Sequence, residues 1–449
     1  MAIIPQLSMF DFMKLEDIYE LKELQMVLEN LPDEKLMQKL EEKRGKGRDD
    51  YTVRSMWNSV IAGVIYRHES IEALRSELGR NGQLRIVCGF MNYKIIEDAM
   101  GREIGKEPQI PNSWNYSRFL SNLMEEQELI DEMFETALSE ITKLLPGFGS
   151  KLAMDGKAIQ SYANKVNKND KEDGRRDLDA NKGIKKYNGI NEDGSKWEKV
   201  KTWFGYELHL IVDADFELPV AFSLTKASAA EVPEGKKLIE HVGKKHPEIM
   251  ERCEYFLADR GYDDTETIEI LWDEYKTKPI IDMRNMWGNK QEVKMFENRN
   301  NIIGYDNFGC IYCYDPEMGE RHLMGFGGFE KDRETLKYIC PQKSSGIKCK
   351  GCNKCPYANK AIRIKLSEDR RRFTPVARSS YKWDNLYKSR TSVERVNSRI
   401  DNVYGFEKHF IRGMKKMKMR CSLALIVMLV KEIAILREGI KRRQQEDAA

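Results

Sequence analysis

YELHLIVDADFELPVAFSL, residues 206–224, holds two short runs rich in β-branched and aromatic residues, YELHLIVD (206–213) and LPVAFSL (218–224), with only Ala214 to Glu217 between them. Runs of this length bounded by turn residues read as strands, and so short a separation closes an antiparallel hairpin. Working outward, KLAMD (151–155) upstream and YFLAD (255–259) and KPIID (278–282) downstream have the same texture. Helical spacing fills the intervals from Glu234 to Val242 and from Thr265 to Tyr275. The expected order is strand, hairpin of two, helix, strand, helix, strand. That is a mixed sheet covered by helices, a mixed α/β fold.

Residues 1–147 read differently. Apolar positions recur three and four apart around Leu15 to Asn30, Asp33 to Lys43, Val53 to Val64, Ser70 to Leu78 and Ser117 to Leu145, the signature of amphipathic helices. Pro108 and Pro111 break the run, and Asn112-Ser113 behind them suits a fresh helix start. An all-α N-terminal domain is expected, of a kind that can serve as a helix-turn-helix DNA-binding module or simply brace the core. Two segments interrupt the sheet pattern. Residues 161–201 are a tract of Lys, Asp, Asn and Gly with almost no apolar period, expected as a charged, solvated loop. Residues 285–378 carry six of the nine cysteines. The expected division is 1–147 helical, 148–284 first part of the core, 285–378 Cys-rich insertion and 379–449 second part of the core. The last part ends in an apolar helix from Leu423 to Leu436.

The 449 residues include 75 Lys plus Arg and 72 Asp plus Glu, a net charge of only +3. Its distribution is lopsided. From Pro356 onward 23 basic residues face 10 acidic ones, so +13 there balances −10 in the preceding part. A basic C-terminal part suits a polyanionic partner. MAIIPQLSMFDFMKLEDIYE at the start lacks a basic-then-apolar leader, and the longest apolar run, Leu423 to Val430, is far short of a membrane span. A cytoplasmic protein with no membrane partner is expected, its thiols reduced or metal-bound. GFGGF (325–329) lacks the lysine and strand-helix frame of a phosphate-cradling loop, so ATP is not expected.

Three acids stand out. Asp155 closes the run Leu152-Ala153-Met154, where a lone acid often does no more than end a strand. Asp259 closes Tyr255-Phe256-Leu257-Ala258, while Asp263 to Glu266 (DDTE) already has the spacing of a capping box for the next helix. Asp259 is thus left without an evident structural role. Glu394 is the one acid among four bases in YKSRTSVERVNSRI (387–400). On a helix Tyr387, Arg390 and Glu394 share one face, and Val393, Val396 and Ile400 form an apolar one. The modest reading is an Arg390–Glu394 surface pair, worth about 0.3 kcal/mol. The richer one is a third carboxylate. Acids drawn from separate elements suit a hard divalent cation, Mg²⁺ or Mn²⁺, that keeps positions open for phosphate oxygens, and a pair of such ions can drive phosphodiester cleavage.

Taken together, these pieces make the chain resemble the DDE transposases of bacterial insertion sequences, specifically the group with a tyrosine, arginine, glutamate, lysine (YREK) signature. The similarity rests on LAMDGKAI around Asp155, FLADRGYDDTETIEIL around Asp259, and YKSRTSVERVNSRI with the trailing YGFEKHFIRG; ESIEALRSEL and PNSWNYSRFL add less specific support. The resemblance implies an RNase H-like catalytic core with Asp155, Asp259 and Glu394 as catalytic Mg²⁺ ligands. It implies Tyr387 and Arg390 as signature residues at DNA, with Arg395, Arg399, Lys157 and Arg260 as further DNA contacts. Implied partners are the element's terminal inverted repeats and target DNA, bound by a homodimer that is nucleoid-associated while engaged. The implied activity is strand cleavage at element ends and strand transfer into target DNA, by cut and paste. The alternatives are a decayed or domesticated transposase acting as a DNA-binding protein, and a stand-alone nuclease with the same triad. The signature's lysine falls at Asp401, which shifts its phosphate contact to Arg395, Arg399 or Lys408.

The cysteines of the insertion fall into Cys310-x-x-Cys313, Cys340, and Cys349-x-x-Cys352-x-x-Cys355. Such spacing suits structural Zn²⁺, although six thiols exceed the four that one tetrahedral ion takes. KCKGCNKCP also has iron–sulfur spacing, but Asn359 stands where the fourth Cys would fall. His322 is an unforced further candidate. Cys88, Cys253 and Cys421 lie in apolar surroundings and read as core.

Overall fold

The structure, a computed structural model, describes residues 19–46, 50–163, 177–190, 195–284 and 293–447. The first four residues of the expected helix from Leu15, 15–18, lie outside them. The N-terminal part forms α1 (Tyr19–Asn30), α2 (Glu34–Arg44), α3 (Val53–Ile65), α4 (Ile71–Arg80), α5 (Gly82–Cys88), α6 (Ser113–Glu125) and α7 (Gln127–Leu144). Local chemistry sets several starts: the Thr52 side chain caps α3 and Ser70 caps α4. Asn112, just past Pro111, forms a reciprocal capping box with Asn115 at the head of α6.

The block is not all-α. Between α5 and α6, β1 (Tyr93–Glu97) and β2 (Glu103–Pro108) pair antiparallel. YKIIE and EIGKEP face each other across a turn held by Asp98, with Gly101 at φ 75°. The stretch is too short and too interrupted to show a helical period, and its strand character lies in the pairing.

The five strands expected of the core are present. In chain order they are β3 (Lys151–Gln160), β5 (Lys196–Asp213), β6 (Pro219–Lys226), β7 (Tyr255–Ala258) and β8 (Lys278–Ile281), with α8 (Glu231–Lys245), α9 (Pro247–Arg252) and α10 (Thr265–Glu269) interposed. β5 pairs antiparallel with both β6 and β3, and β3, β7 and β8 run parallel. Across the sheet the order is β6-β5-β3-β7-β8.

The tract 161–201 departs from a loop. β4 (Asn181–Ile190) pairs with the first half of β5, from Asn181↔Gly205 to Ile190↔Lys196; residues 164–176 and 191–194 lie outside the described ones. The result is a two-stranded arm. Ile184, Trp197 and Val200 are all exposed on it, so the arm buries little and its lysine-rich composition hides the pairing.

After the arm-bearing core, residues Lys294 to Lys365 build two small sheets: β9 (Lys294–Met295), β10 (Ile303–Tyr305), β11 (Ile311–Tyr314) and β12 (Arg321–Leu323), then β13 (Gly325–Glu330), β14 (Thr335–Ile339) and β15 (Ala361–Lys365), with α11 (Pro341–Ser345) between β14 and β15. They enclose a core of their own around Phe296, Ile311, Leu336, Tyr338, Ile364 and Phe373.

The chain then returns to the large core through α12 (Tyr381–Lys388), α13 (Thr391–Asn402) and α14 (Met414–Asp447). The expected single helix through Tyr387 and Glu394 is two, parted at Ser389-Arg390. Val393, Val396 and Ile400 are buried, as their spacing predicts, and α13 packs on β3 and β5. α14 is longer than its apolar run suggests. Its buried stretch from Leu423 to Val430 packs against α7, α1 and α3 on one side and β6 on the other, so N-terminal helices and sheet share one hydrophobic core. Among the described residues no helix is long and apolar enough to cross a membrane.

Candidate functional site

Register brings the two aspartates together. β3 and β7 are parallel neighbours with Met154 opposite Ala258, and each aspartate is the next residue, so both stand at one level: Asp259 just past the carboxyl end of β7, and Asp155 midway along β3, which runs on to Gln160 beside β5 instead of ending at the acid. In an open α/β sheet the carboxyl ends of the parallel strands are where ligands bind. Asp155 Oδ1 accepts from Gly156 N at 2.8 Å, and Asp259 Oδ1 accepts from Gly261 N at 2.7 Å. Contrary to the sequence expectation, Asp259 has a structural role as well, because it caps the single turn Arg260–Tyr262. The cap of α10 is Asp264, one residue later than the spacing suggested. Asp263 is instead fully buried against Arg371.

Electrostatically the pair is frustrated. Burial, and next the charge of Asp259, push the Asp155 carboxyl up to about 6. Burial and then the charge of Glu231 raise Asp259 as well. Glu231, which no sequence pattern singled out, sits in the first turn of α8. A Cβ on Gly261 would run into both its carboxylate and Asp259 Oδ1, and a Cβ on Gly156 would meet Glu207 Oε1 at 2.8 Å and Glu231 Oε1 at 3.4 Å. Two glycines thus leave room for four carboxylates. Lys185, from the arm, bridges Glu207 at 2.9 Å and Glu231 at 2.7 Å and donates to the Gly156 carbonyl at 3.0 Å. The Tyr262 hydroxyl is buried beside these acids and has no hydrogen-bond partner among the described residues. A cleft of about 490 Å³, lined by Lys182, Lys185, Glu207, Glu231, Gly261 and Arg284, opens on the Glu207 and Glu231 side of the cluster; neither aspartate lines it.

Glu394 approaches this cluster through an arginine. Its side chain is 52% exposed and accepts from Arg390 Nη2 at 2.7 Å, the modest pairing the sequence allowed. Yet the Arg390 charge also acts on Asp155 and Asp259, holding both lower than burial alone would. Arg390 thus pairs with Glu394 and bears electrostatically on both aspartates of the expected triad. Among the described residues no three His, Cys, Asp or Glu side chains stand where together they could hold a metal ion in this arrangement, in the carboxylate cluster or elsewhere.

The remaining expected DNA contacts are placed unevenly. Tyr387 stacks on Trp383 at 4.8 Å, with Arg390 over its ring at 5.7 Å. Arg395 and Arg399 both hold Glu217, in the turn between β5 and β6. Arg260 is exposed, 3.4 Å from Asp282. Lys157 lies 2.5 Å from Asp401, so the position where the resemblance expects a lysine has an ammonium beside it, supplied from β3.

The insertion gathers a second cluster. Cys313, Cys340, Cys349, Cys352, Cys355 and His322 line one cavity of about 20 Å³. Burial pushes the Cys313 thiol up to about 12, and the nearby Cys340, Cys349 and Cys355 push the same way. Cys310 does not join them; its neighbours are Asp306 and Arg378. Cys88, Cys253 and Cys421 are buried free thiols.

A family model described as a transposase DDE domain matches residues 146–430. No curated protein matches the chain. The matched span begins just before β3 and ends within α14, and so takes in Asp155, Asp259, Glu394 and the whole cysteine cluster.

Proposed function

The chain belongs to the transposase DDE-domain family, and from that membership we propose that it cuts DNA at the ends of an insertion sequence and joins them to target DNA, by cut and paste. The observation that carries this reading is the in-register placement of Asp155 and Asp259 on adjacent parallel strands, at the level where β7 ends, with glycines beside them and a cleft nearby. The strand order β6-β5-β3-β7-β8, three antiparallel and two parallel, supports an RNase H-like core.

The donor set fits Mg²⁺ or Mn²⁺. Hard oxygens lie on neighbouring elements, glycines keep the space clear, and the burial and like charge that raise Asp155 are what a divalent cation would offset. Asp155, Asp259 and Glu394 would hold the ions, with Glu231 a fourth carboxylate against the same cradle. Bound there, they would supply Lewis acidity for in-line displacement at phosphorus. The chain's own residues do the rest. Arg390 must leave the carboxylates and turn to a phosphate, freeing Glu394. Lys185 holds Glu207 and Glu231 apart from the reacting strand. Arg260, Lys157 and Tyr387 line the approach, while Arg395 and Arg399 brace the β5–β6 turn until DNA competes for them. The helices before β3 would read the terminal inverted repeats, and cleaving two ends in concert calls for a homodimer.

The test is Mg²⁺-dependent nicking of element-end DNA. Asp155→Asn and Glu394→Gln are expected to lose it by about 10²–10³-fold, and wild-type nicking by Glu394→Gln would refute the assignment. The Arg390–Glu394 pair favours a second reading, a DNA-binding protein that no longer cleaves. End binding with no cleavage in Mg²⁺ or Mn²⁺ would decide for it.

A further inference from the structure

We propose that the cysteine cluster closes around one zinc ion as a tetrahedral site of three thiolates and one imidazole, Cys313, His322, Cys340 and Cys355, which line one cavity but must draw together to ligate, and that Cys310, Cys349 and Cys352 are not ligands. It is independent of the transposase reading, because it concerns a part of the molecule with its own core.

Cys313 and His322 are direct partners across β11 and β12, so both side chains leave the same face of the ribbon. His322 Nε2 is buried and, among the described residues, accepts and donates no hydrogen bond. Glu320 Oε2 is 3.9 Å away, out of hydrogen-bond reach. A buried, unpaired ring nitrogen is costly unless something occupies the space before it, and here that space is walled by thiols.

The five thiols are not equivalent. Cys349 Sγ donates to Asp315 Oδ2 at 3.2 Å, and Asp315 is already fixed by the amides of Glu317, Met318 and Gly351. A thiolate at Cys349 would face that carboxylate. Cys352 Sγ donates to Gln342 Oε1 at 2.9 Å. Among the described residues Cys313, Cys340 and Cys355 have no side-chain hydrogen-bond partner of this kind, although all five thiols line the cavity with His322. Three thiolates and an imidazole form one of the standard closed zinc sets.

Size selects the ion. A cavity of about 20 Å³ holds little more than one water-sized occupant. Four irons and four sulfides would need the walls rebuilt. A single borderline-soft ion fits, and its ligands would tie the β11–β12 ribbon to the segment between β14 and β15. That segment, from Cys340 to Lys360, contributes almost nothing to the second core except Tyr357, so the ion would supply the cohesion that packing does not.

Zinc content of the purified full-length chain tests this without DNA. One zinc per chain is expected in the wild type and in Cys310→Ser, Cys349→Ser and Cys352→Ser, with near-complete loss in His322→Ala and Cys340→Ser. Retention by His322→Ala, or loss from Cys349→Ser and Cys352→Ser, would overturn the ligand set. Bound iron with acid-labile sulfide would overturn the single ion. Because a variant can misfold, the wild type exchanged with Co²⁺ gives an independent count. Its thiolate-to-metal absorption should match three sulfur ligands, and four would exclude His322.

Discussion

The carboxylate centre and the thiol cluster both gather metal-type donors from distant parts of the chain, but they sit in opposite mechanical settings. The carboxylates stand on the best-packed sheet, where burial forces like charges together and raises Asp155. Cys340 and Cys355 stand in a segment with little apolar support, while Cys313 packs against the smaller core. The first site stores repulsion that a stable core can bear; the second lacks cohesion that a bound ion can provide. Removing a donor should therefore have opposite effects on stability at the two places, a difference between a working site and a clamp.

The sharpest way to break that contrast is to strip the zinc. A strong chelator should expose residues between Lys294 and Lys365 to proteolysis while leaving the sheet protected, forfeiting binding free energy on the order of 10 kcal/mol. Equal digestion of both regions would mean that they are not separate units. At the carboxylates, Asp155→Asn should lower nicking by about 10²–10³-fold and leave the melting temperature unchanged or higher, since it removes a repelled charge. A clear fall in melting temperature would show that Asp155 is structural after all. Glu231→Gln should weaken Mn²⁺ binding, read by paramagnetic resonance on the apo protein, by about 10–100-fold. Unchanged Mn²⁺ affinity would reduce Glu231 to a helix-start acid.

Smaller effects probe how the sheet is held. Val396, fully buried under α13, should cost about 2 kcal/mol when cut to Ala, the scale of a small core cavity, visible in denaturant unfolding. Glu135 on α7 joins the helical part to the core through His241 and His246. Despite burial, hydrogen bonds from those histidines hold it down to about 2, and the same Glu135 bond raises His246 against its burial. The Glu135 contribution is present above its ordinary pKa near 4.5 and is lost as pH falls toward 2. The His246 contribution is complete below its ordinary value near 6.5 and is lost as pH rises through the raised one. Glu135→Gln should therefore destabilise most between about pH 4.5 and 6.5 and less at pH 8, by about 1–3 kcal/mol at most; a pH-independent difference in melting would argue against the linkage. Least of all, Asp401→Asn should free Lys157 and tighten binding to end DNA less than about fivefold, steepening the salt dependence by about one phosphate contact.

Some of this was legible in the chain. The core strands showed because each is a short run of β-branched and aromatic residues between turn signals, and Asp155 and Asp259 showed because each follows such a run. Val393, Val396 and Ile400 announced the buried face of α13. Glu231 did not, since an acid in the first turn of a helix is ordinary helix-dipole chemistry. Lys185 was hidden in a tract whose composition reads as solvent-exposed, though one residue of it reaches the centre of the site. The β1–β2 hairpin was missed because its strands bury little.

The order of residues by itself determined the succession of core strands, the apolar faces and the identity of the acids and thiols available, because periodicity and burial preference are local properties of a chain. Which of those groups meet was decided only by tertiary structure. Strand register set Asp155 beside Asp259, the arm delivered Lys185, helix placement paired Arg390 with Glu394 within electrostatic reach of the aspartates, and two hydrogen bonds engaged Cys349 and Cys352 within the shared thiol-lined cavity. Such choices depend on distances between elements far apart in sequence, and no local spacing encodes them.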